Sequence, residues 1–389
     1  MESPLQKSNR IEVVDALRGF AIATILVLHN MEHFEVMNQP AFFPEWLTVI
    51  DTKMLNAMFL FFGGKSYLIF AMLFGLTFFI QDSHQLAKGK DFRGRFAWRM
   101  LLLLGFSIIN TAFYRGDVLT YFAILGLILI PVCRMKDWGV IAVMLLFLIQ
   151  PIELGSIIAL AFNPDANVVF TNSDALLNQT SFAGPSPFKI MYQNLTIGKL
   201  GAIEWNLEFG RPTQFPGFFL VGYMLGRKKL FEDTPKAAKF WRNAMLIGLA
   251  VYFVMVLARS CGYKFFDNAD MNRLFKRILG MWGNIGFTAF IVGLFYSLYH
   301  NPVWKNTLDF FTPLGKMSLT CYVFSSVFGF IVYYGCGLGL YKWTGSAICF
   351  FIGLLLVTGF HYFCKAYGKT HRYGPLEGIW HKLTWIKSK

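Results

Sequence analysis

Apolar stretches of about twenty residues recur along this chain, separated by short basic segments. Most are long enough to cross a bilayer as a helix at about 1.5 Å per residue. Ten such stretches are predicted, near residues 17–34, 55–80, 96–114, 118–133, 139–162, 213–226, 241–258, 278–299, 317–335 and 344–366. The fourth and sixth are the shortest and are expected to be tilted or broken. Hydrophobic residues make up 55% of the 389 and charged residues only 15%, more apolar surface than a soluble domain of this length needs. The expected fold is therefore an all-α, polytopic transmembrane helix bundle of about ten spans, forming one integral-membrane domain over residues 1–389.

Basic residues orient the set. They concentrate in Lys88–Arg99, in Arg227–Arg242 and in the tail from Lys365, which predicts that both termini lie in the cytoplasm. The outer connection near 259–277 runs against that rule, with Arg259, Lys264, Arg273, Lys276 and Arg277. The net charge of +14 could suggest nucleic acid, but the cations are spread over short loops, so orientation and anionic headgroups explain it better and no nucleic-acid partner is expected. The longest piece outside the spans, 163–212, reads as an outer loop with an interfacial helix from Phe188 to Phe209. The tail, 367–389, carries Pro375 at a helix start and anchoring Trp380 and Trp385. Six cysteines (Cys133, Cys261, Cys321, Cys336, Cys349 and Cys364) show no CxxC pairing and read as buried small residues rather than metal ligands or disulfides.

Several ionisable residues fall inside or beside the apolar stretches, where they are functional candidates. Arg18 and His29 lie eleven residues apart; at about 100° per residue they share one helix face, separated by roughly 16 Å. Asp15 continues that stripe at one end, Glu32 and His33 at the other. His29 suits proton transfer, or else a single structural hydrogen bond across helices. Glu153 follows Pro151 in an apolar stretch, at a depth similar to His29, and reads as catalytic or as the wall of a wet cavity. Lys65, after Gly63 and Gly64, must reach a carboxylate, a phosphate or water; Glu153 and Asp117 are the candidate carboxylates. Tyr114-Arg115-Gly116-Asp117 has the chemistry of a tight turn, with Arg115 and Asp117 as possible binding residues. Lys316 could meet a nucleotide phosphate or snorkel to the interface. Gly222 and Gly226 have the GxxxG spacing of close helix packing.

Taken together, the segments Arg10-Ile11-Glu12-Val13-Val14-Asp15-Ala16-Leu17-Arg18-Gly19-Phe20, Gly64-Lys65, Gly116-Asp117-Val118-Leu119, Met317-Ser318-Leu319-Thr320, Gly335-Cys336-Gly337-Leu338-Gly339-Leu340-Tyr341 and Gly374-Pro375-Leu376-Glu377 resemble those of the YeiB-like domain-of-unknown-function bacterial membrane proteins. That family is grouped with transmembrane acyltransferases such as acyltransferase family 3 and heparan-alpha-glucosaminide N-acetyltransferase. There, a basic residue and a histidine separated by ten residues mark the first span, as Arg18 and His29 do here. The resemblance implies a multi-pass protein of the bacterial inner membrane. It would draw an acyl group from cytoplasmic acyl-CoA, a substrate rather than a bound cofactor, and deliver it to an outer glycan or lipid. With the buried charges read from the residues themselves, His29 and Glu153 are the expected catalytic pair. Asp15, Arg18, Lys65, Arg115, Asp117 and Lys316 would bind donor or acceptor, and no metal is implied. Membrane lipids and a second copy of the chain are the remaining expected partners. The alternative is a proton-coupled transporter or flippase for a small anion or lipid, using the same buried groups.

Overall fold

The computed structural model describes residues 11–36, 40, 42–168, 172–260 and 265–386; Cys261 and Lys264 lie outside them. Among the described residues every regular element is helical. α1 covers Glu12–Met31, α2 Glu45–Phe61, α3 Ser66–Leu86 and α4 Arg93–Phe113. α5 (Leu119–Leu125) and α6 (Leu129–Val132) are joined by a 3-10 turn, and α7 (Asp137–Leu148) and α8 (Pro151–Phe162) follow. α9 (Ser173–Leu177), α10 (Pro187–Gln193) and α11 (Lys199–Glu208) lead into α12 (Arg211–Arg227). The chain then forms α13 (Pro235–Ser260), α14 (Ala269–Tyr299), α15 (Pro302–Leu308), α16 (Thr312–Lys316), α17 (Ser318–Tyr333), α18 (Ser346–Tyr367) and α19 (Pro375–Thr384).

Five of these segments are long and apolar enough to cross a membrane: α2 with α3, α4, α13, α14 and α18; the count reaches seven if two bent pairs are each one span. Among the described residues ten uninterrupted spans are not found, and the reasons are local. The stretch at 139–162 bends by 52° between α7 and α8, where Gln150 takes a left-handed conformation ahead of Pro151. The stretch at 317–335 follows a 79° bend at Met317. At 118–133 the helix tightens into a 3-10 turn over Gly126–Ile128. α12 carries Pro216 inside it. The expected helix at Phe188–Phe209 is present as α10 and α11, continued through one π-turn.

α1 is the axis of the bundle. Most of its residues are buried, and α3, α16, α17 and α18 surround it. Apolar burial contributes little to helix association in a bilayer, where lipid tails are as apolar as leucine; close packing and hydrogen bonds do the holding. Both are present. A Cβ on Gly19 would stand 1.8 Å from the Phe311 carbonyl, and one on Gly315 would stand 1.8 Å from the Asp15 carbonyl, so α1 and the α16 region touch backbone to backbone. Gly75 and Gly222 do the same for α3 and α12, which gives the Gly222 spacing its packing role. At the far end of α1, the Tyr333 hydroxyl donates to Asn30 Oδ1 at 2.8 Å, and His33 Nε2 donates to the Thr344 carbonyl at 2.9 Å. α13 lies at the rim, with Leu246, Ile247, Phe253, Val254 and Leu257 exposed.

At the Glu12 end, α19 lies across the ends of α4 and α17. Glu377 receives the Thr320 backbone N–H at 3.0 Å and the Thr320 hydroxyl at 2.5 Å, closing the free amides of α17. Two of the motifs that carry the family resemblance are thus in contact. The Trp380 indole donates to the Arg99 carbonyl at 3.1 Å, and the Arg99 guanidinium sits 4.1 Å from its ring. Replacing Glu377 by alanine is expected to cost about 1–3 kcal/mol by leaving Thr320 without an acceptor. Limited proteolysis should then cut the tail earlier; a tail as resistant as in the unaltered chain would refute the capping role.

Candidate functional site

His29 occupies the last turn of α1 and keeps 19% of its side chain exposed. Its Nδ1 lies 3.4 Å from Glu32 Oε2 and 3.2 Å from the Tyr114 hydroxyl. A carboxylate can only accept, so this pairing places the proton on Nδ1 and leaves the lone pair on Nε2. The ring is also held by Tyr114, with centroids 4.9 Å apart, and by Phe34 at 5.7 Å. The i, i+3 spacing of His29 and Glu32 brings the two together on one helix face. Next to them His33 is buried and committed to Thr344, a packing role.

The turn after α4 delivers the rest of this cluster. Arg115 donates from Nε to Glu35 Oε2 at 2.8 Å, donates to the Leu177 carbonyl at 2.9 Å and to Thr180, and stacks 4.6 Å from the Phe182 ring. It ties the end of α1 to the 163–212 segment. Gly116 leaves room for this packing, since a Cβ would stand 2.1 Å from Glu35 Oε1 and 2.6 Å from the Tyr114 hydroxyl and would push those side chains aside. Asp117 is buried and accepts from Ser107 at 2.5 Å and from Asn110 at 2.7 Å. Its cation is Lys199, with Nζ 3.9 Å from Oδ2 and 3.2 Å from the Asp117 carbonyl. Burial pushes the Asp117 carboxyl up, opposed by Lys199, Ser107 and Asn110; burial likewise pushes Lys199 down.

The other expected site residues stand in separate surroundings. Arg18 donates to Asp15 Oδ1 at 3.1 Å, to Thr77 at 2.8 Å and to the Gly315 carbonyl at 3.5 Å, so it bridges α1, α3 and α16. Lys65 is buried but pairs with neither Glu153 nor Asp117. It reaches back to the Phe59 carbonyl at 3.5 Å, near the C-terminus of α2, and lies 5.7 Å from the Phe287 ring. A helix C-terminus, where carbonyls are unpaired and the dipole is negative, stands in for the expected carboxylate. Glu153 is buried against Gly210, whose Cβ would stand 2.0 Å from Oε1. Both its oxygens, and both amide atoms of Gln150, lack a hydrogen-bond partner. Lys316 is exposed at the bend before α17. No contact joins His29, Lys65 and Glu153 among the described residues. Nor are three His, Cys, Asp or Glu side chains gathered there as a metal site.

Sequence reasoning overlooked Tyr114, Glu35, Lys199 and Asp51. Tyr114 and Lys199 carried signals: one opens the Arg115–Asp117 turn, and the other is a lysine in a helix of mixed polarity. Asp51 carried none. It is fully buried on α2 and accepts the Ala347 amide at 2.8 Å, capping α18 from another helix.

Residues 225–387 match the family described as protein of unknown function (DUF418). The matched stretch contains Thr320 and Glu377 with their capping contact, and Lys316, while His29 and the Arg115 turn precede it. The whole chain is similar to "Uncharacterized protein YxaH" of Bacillus subtilis (strain 168), 24% identical over 98% of this chain and 96% of that protein. It is equally similar, at 24% identity and the same coverage, to "Uncharacterized 39.9 kDa protein in amylase 3'region" of Bacillus acidopullulyticus. No solved structure matches.

Proposed function

We propose that the chain is an integral-membrane acyltransferase of the bacterial inner membrane, with ten spans counted through their breaks and both termini in the cytoplasm. It moves an acyl group from cytoplasmic acyl-CoA to a hydroxyl or amine of an extracytoplasmic glycan or lipid. The observation that carries this reading is the His29–Glu32 pair, which leaves Nε2 free as a base at the end of a buried helix. Nε2 takes the acceptor proton as the acceptor oxygen or nitrogen attacks the thioester carbonyl. The carbon–sulfur bond then breaks, and the CoA thiolate leaves with that proton. Tyr114 steadies the ring. Arg18, roughly 16 Å below on the same face, orients the donor from the cytoplasmic side while Asp15 and Thr77 hold its guanidinium. Arg115, Asp117 and Lys199 shape the acceptor side, and Lys316 meets the donor phosphates.

The test is transfer of a labelled acyl group from acyl-CoA to membrane glycans or lipids by the purified full chain. Transfer supports the reading, and absence of acyl-CoA binding overturns it. The transporter reading rests on a different observation, the orphaned Glu153 and Gln150 at a helix break. Proton-coupled uptake by vesicles containing the protein, lost on Glu153→Gln, would put it first.

Topology has its own check. Cysteines introduced as Lys236→Cys and Lys369→Cys should react with impermeant reagent from one side, and Ser186→Cys from the other. Labelling of Ser186→Cys together with Lys369→Cys would refute the orientation.

A further inference from the structure

A pocket of about 580 Å³ opens at the His29 end of the bundle, between Phe209 and the first turns of α14, within the usual size range of ligand sites. Four cations line it, Arg259, Arg273, Lys276 and Arg277, against one carboxylate, Asp267. Arg273 is already paired with Asp270 at 2.5 Å, and Arg277 with Glu208 at 3.5 Å. Arg259 and Lys276 have no carboxylate partner among the described residues. Arg259 sits over Gly280, where a Cβ would stand 3.2 Å from its Nη1.

Two unpaired cations facing one cavity repel each other, and an anion between them removes that cost. Arginine forks match phosphate oxygens two at a time, and a lysine adds a point charge. The surroundings point to a lipid as the source of the phosphate. α13, which supplies Arg259, exposes Phe253, Val254, Val256 and Leu257 over the two turns before it, and Phe209 forms an apolar wall. Under the proposed orientation these cations also lie on the outer side, where basic residues are normally sparse, so a ligand accounts for their position.

We infer that this pocket binds the phosphate headgroup of an anionic membrane lipid, with the acyl chains laid along α13. The site stands on its own geometry and does not rest on acyl transfer.

The test titrates phosphatidylglycerol into the detergent-purified full chain and follows thermal stabilisation. Phosphatidylcholine with the same chains and glycerol phosphate without chains serve as comparisons. Phosphatidylglycerol should stabilise best, with glycerol phosphate at least about ten-fold weaker. The double variant Arg259→Gln with Lys276→Gln should lose about ten-fold or more of the affinity. Lys236→Gln, exposed at the other end of α13, should lose none. Unchanged affinity in the double variant overturns the site. Phosphatidylcholine matching phosphatidylglycerol overturns its charge selectivity. Glycerol phosphate matching the lipid overturns the lipid assignment in favour of a free anion.

Discussion

His29→Ala is expected to lower acyl transfer by about 10²–10⁴-fold, the usual contribution of a positioned general base. The helix should remain in place. Asn30 and His33, on either side, carry the hydrogen bonds to Tyr333 and Thr344 that fix this end of α1. His29 itself contributes one 3.4 Å contact to Glu32 and one 3.2 Å contact to Tyr114. Removing it should therefore cost stability only about 1–3 kcal/mol. Glu32→Gln should lose less activity than His29→Ala, because the amide oxygen can still accept from Nδ1 but carries no charge to stabilise the imidazolium. Turnover of acyl-CoA by purified protein, with thermal unfolding measured on the same samples, separates the two effects. A fully active His29→Ala chain would make the histidine structural.

Gly19→Ala and Gly315→Ala should each destabilise the chain by about 4 kcal/mol or more, in the range reserved for backbone clashes and core disruption. Each added methyl would stand 1.8 Å from a carbonyl oxygen of the facing segment, and no rotamer change can relieve a contact between two backbones. Gly359→Ala is the matched control. It is helical, with nothing within 4 Å of the new Cβ, and should be neutral or stabilising by up to about 1 kcal/mol. Thermal unfolding in detergent decides. If Gly19→Ala melts with Gly359→Ala, the backbone contact between α1 and the α16 region does not hold the bundle.

The helical class was legible in the sequence because apolar length alone demands it. The breaks were not. Hydropathy reads 139–162 as one run, yet Gln150 ahead of Pro151 turns the backbone and bends it by 52°. Site legibility followed the same division between local and distant partners. Asp15 with Arg18, and His29 with Glu32, are three residues apart on one helix, so the spacing alone predicts that they meet. For Lys65 burial of an ammonium predicts a carboxylate, a phosphate or water, and the nearby end of α2 supplies a carbonyl instead. Asp117 found Lys199, a partner 82 positions away that no periodicity links to it. The cap that Asp51 gives α18 was invisible for the same reason.

The position of α1 at the axis also bears on how the chain is made. Although α3 follows early, other partners of α1 come late in the chain: Asn30 waits for Tyr333 and His33 for Thr344, separations of 303 and 311 residues. At roughly 5–20 residues per second, the ribosome needs about 15–60 seconds to supply them. Throughout that interval α1 holds an Asn30 Oδ1 without its donor and a glycine face at Gly19 still open to other chains. An insertase or a chaperone that shelters this polar helix until α17 and α18 have been made would therefore raise the yield of this protein.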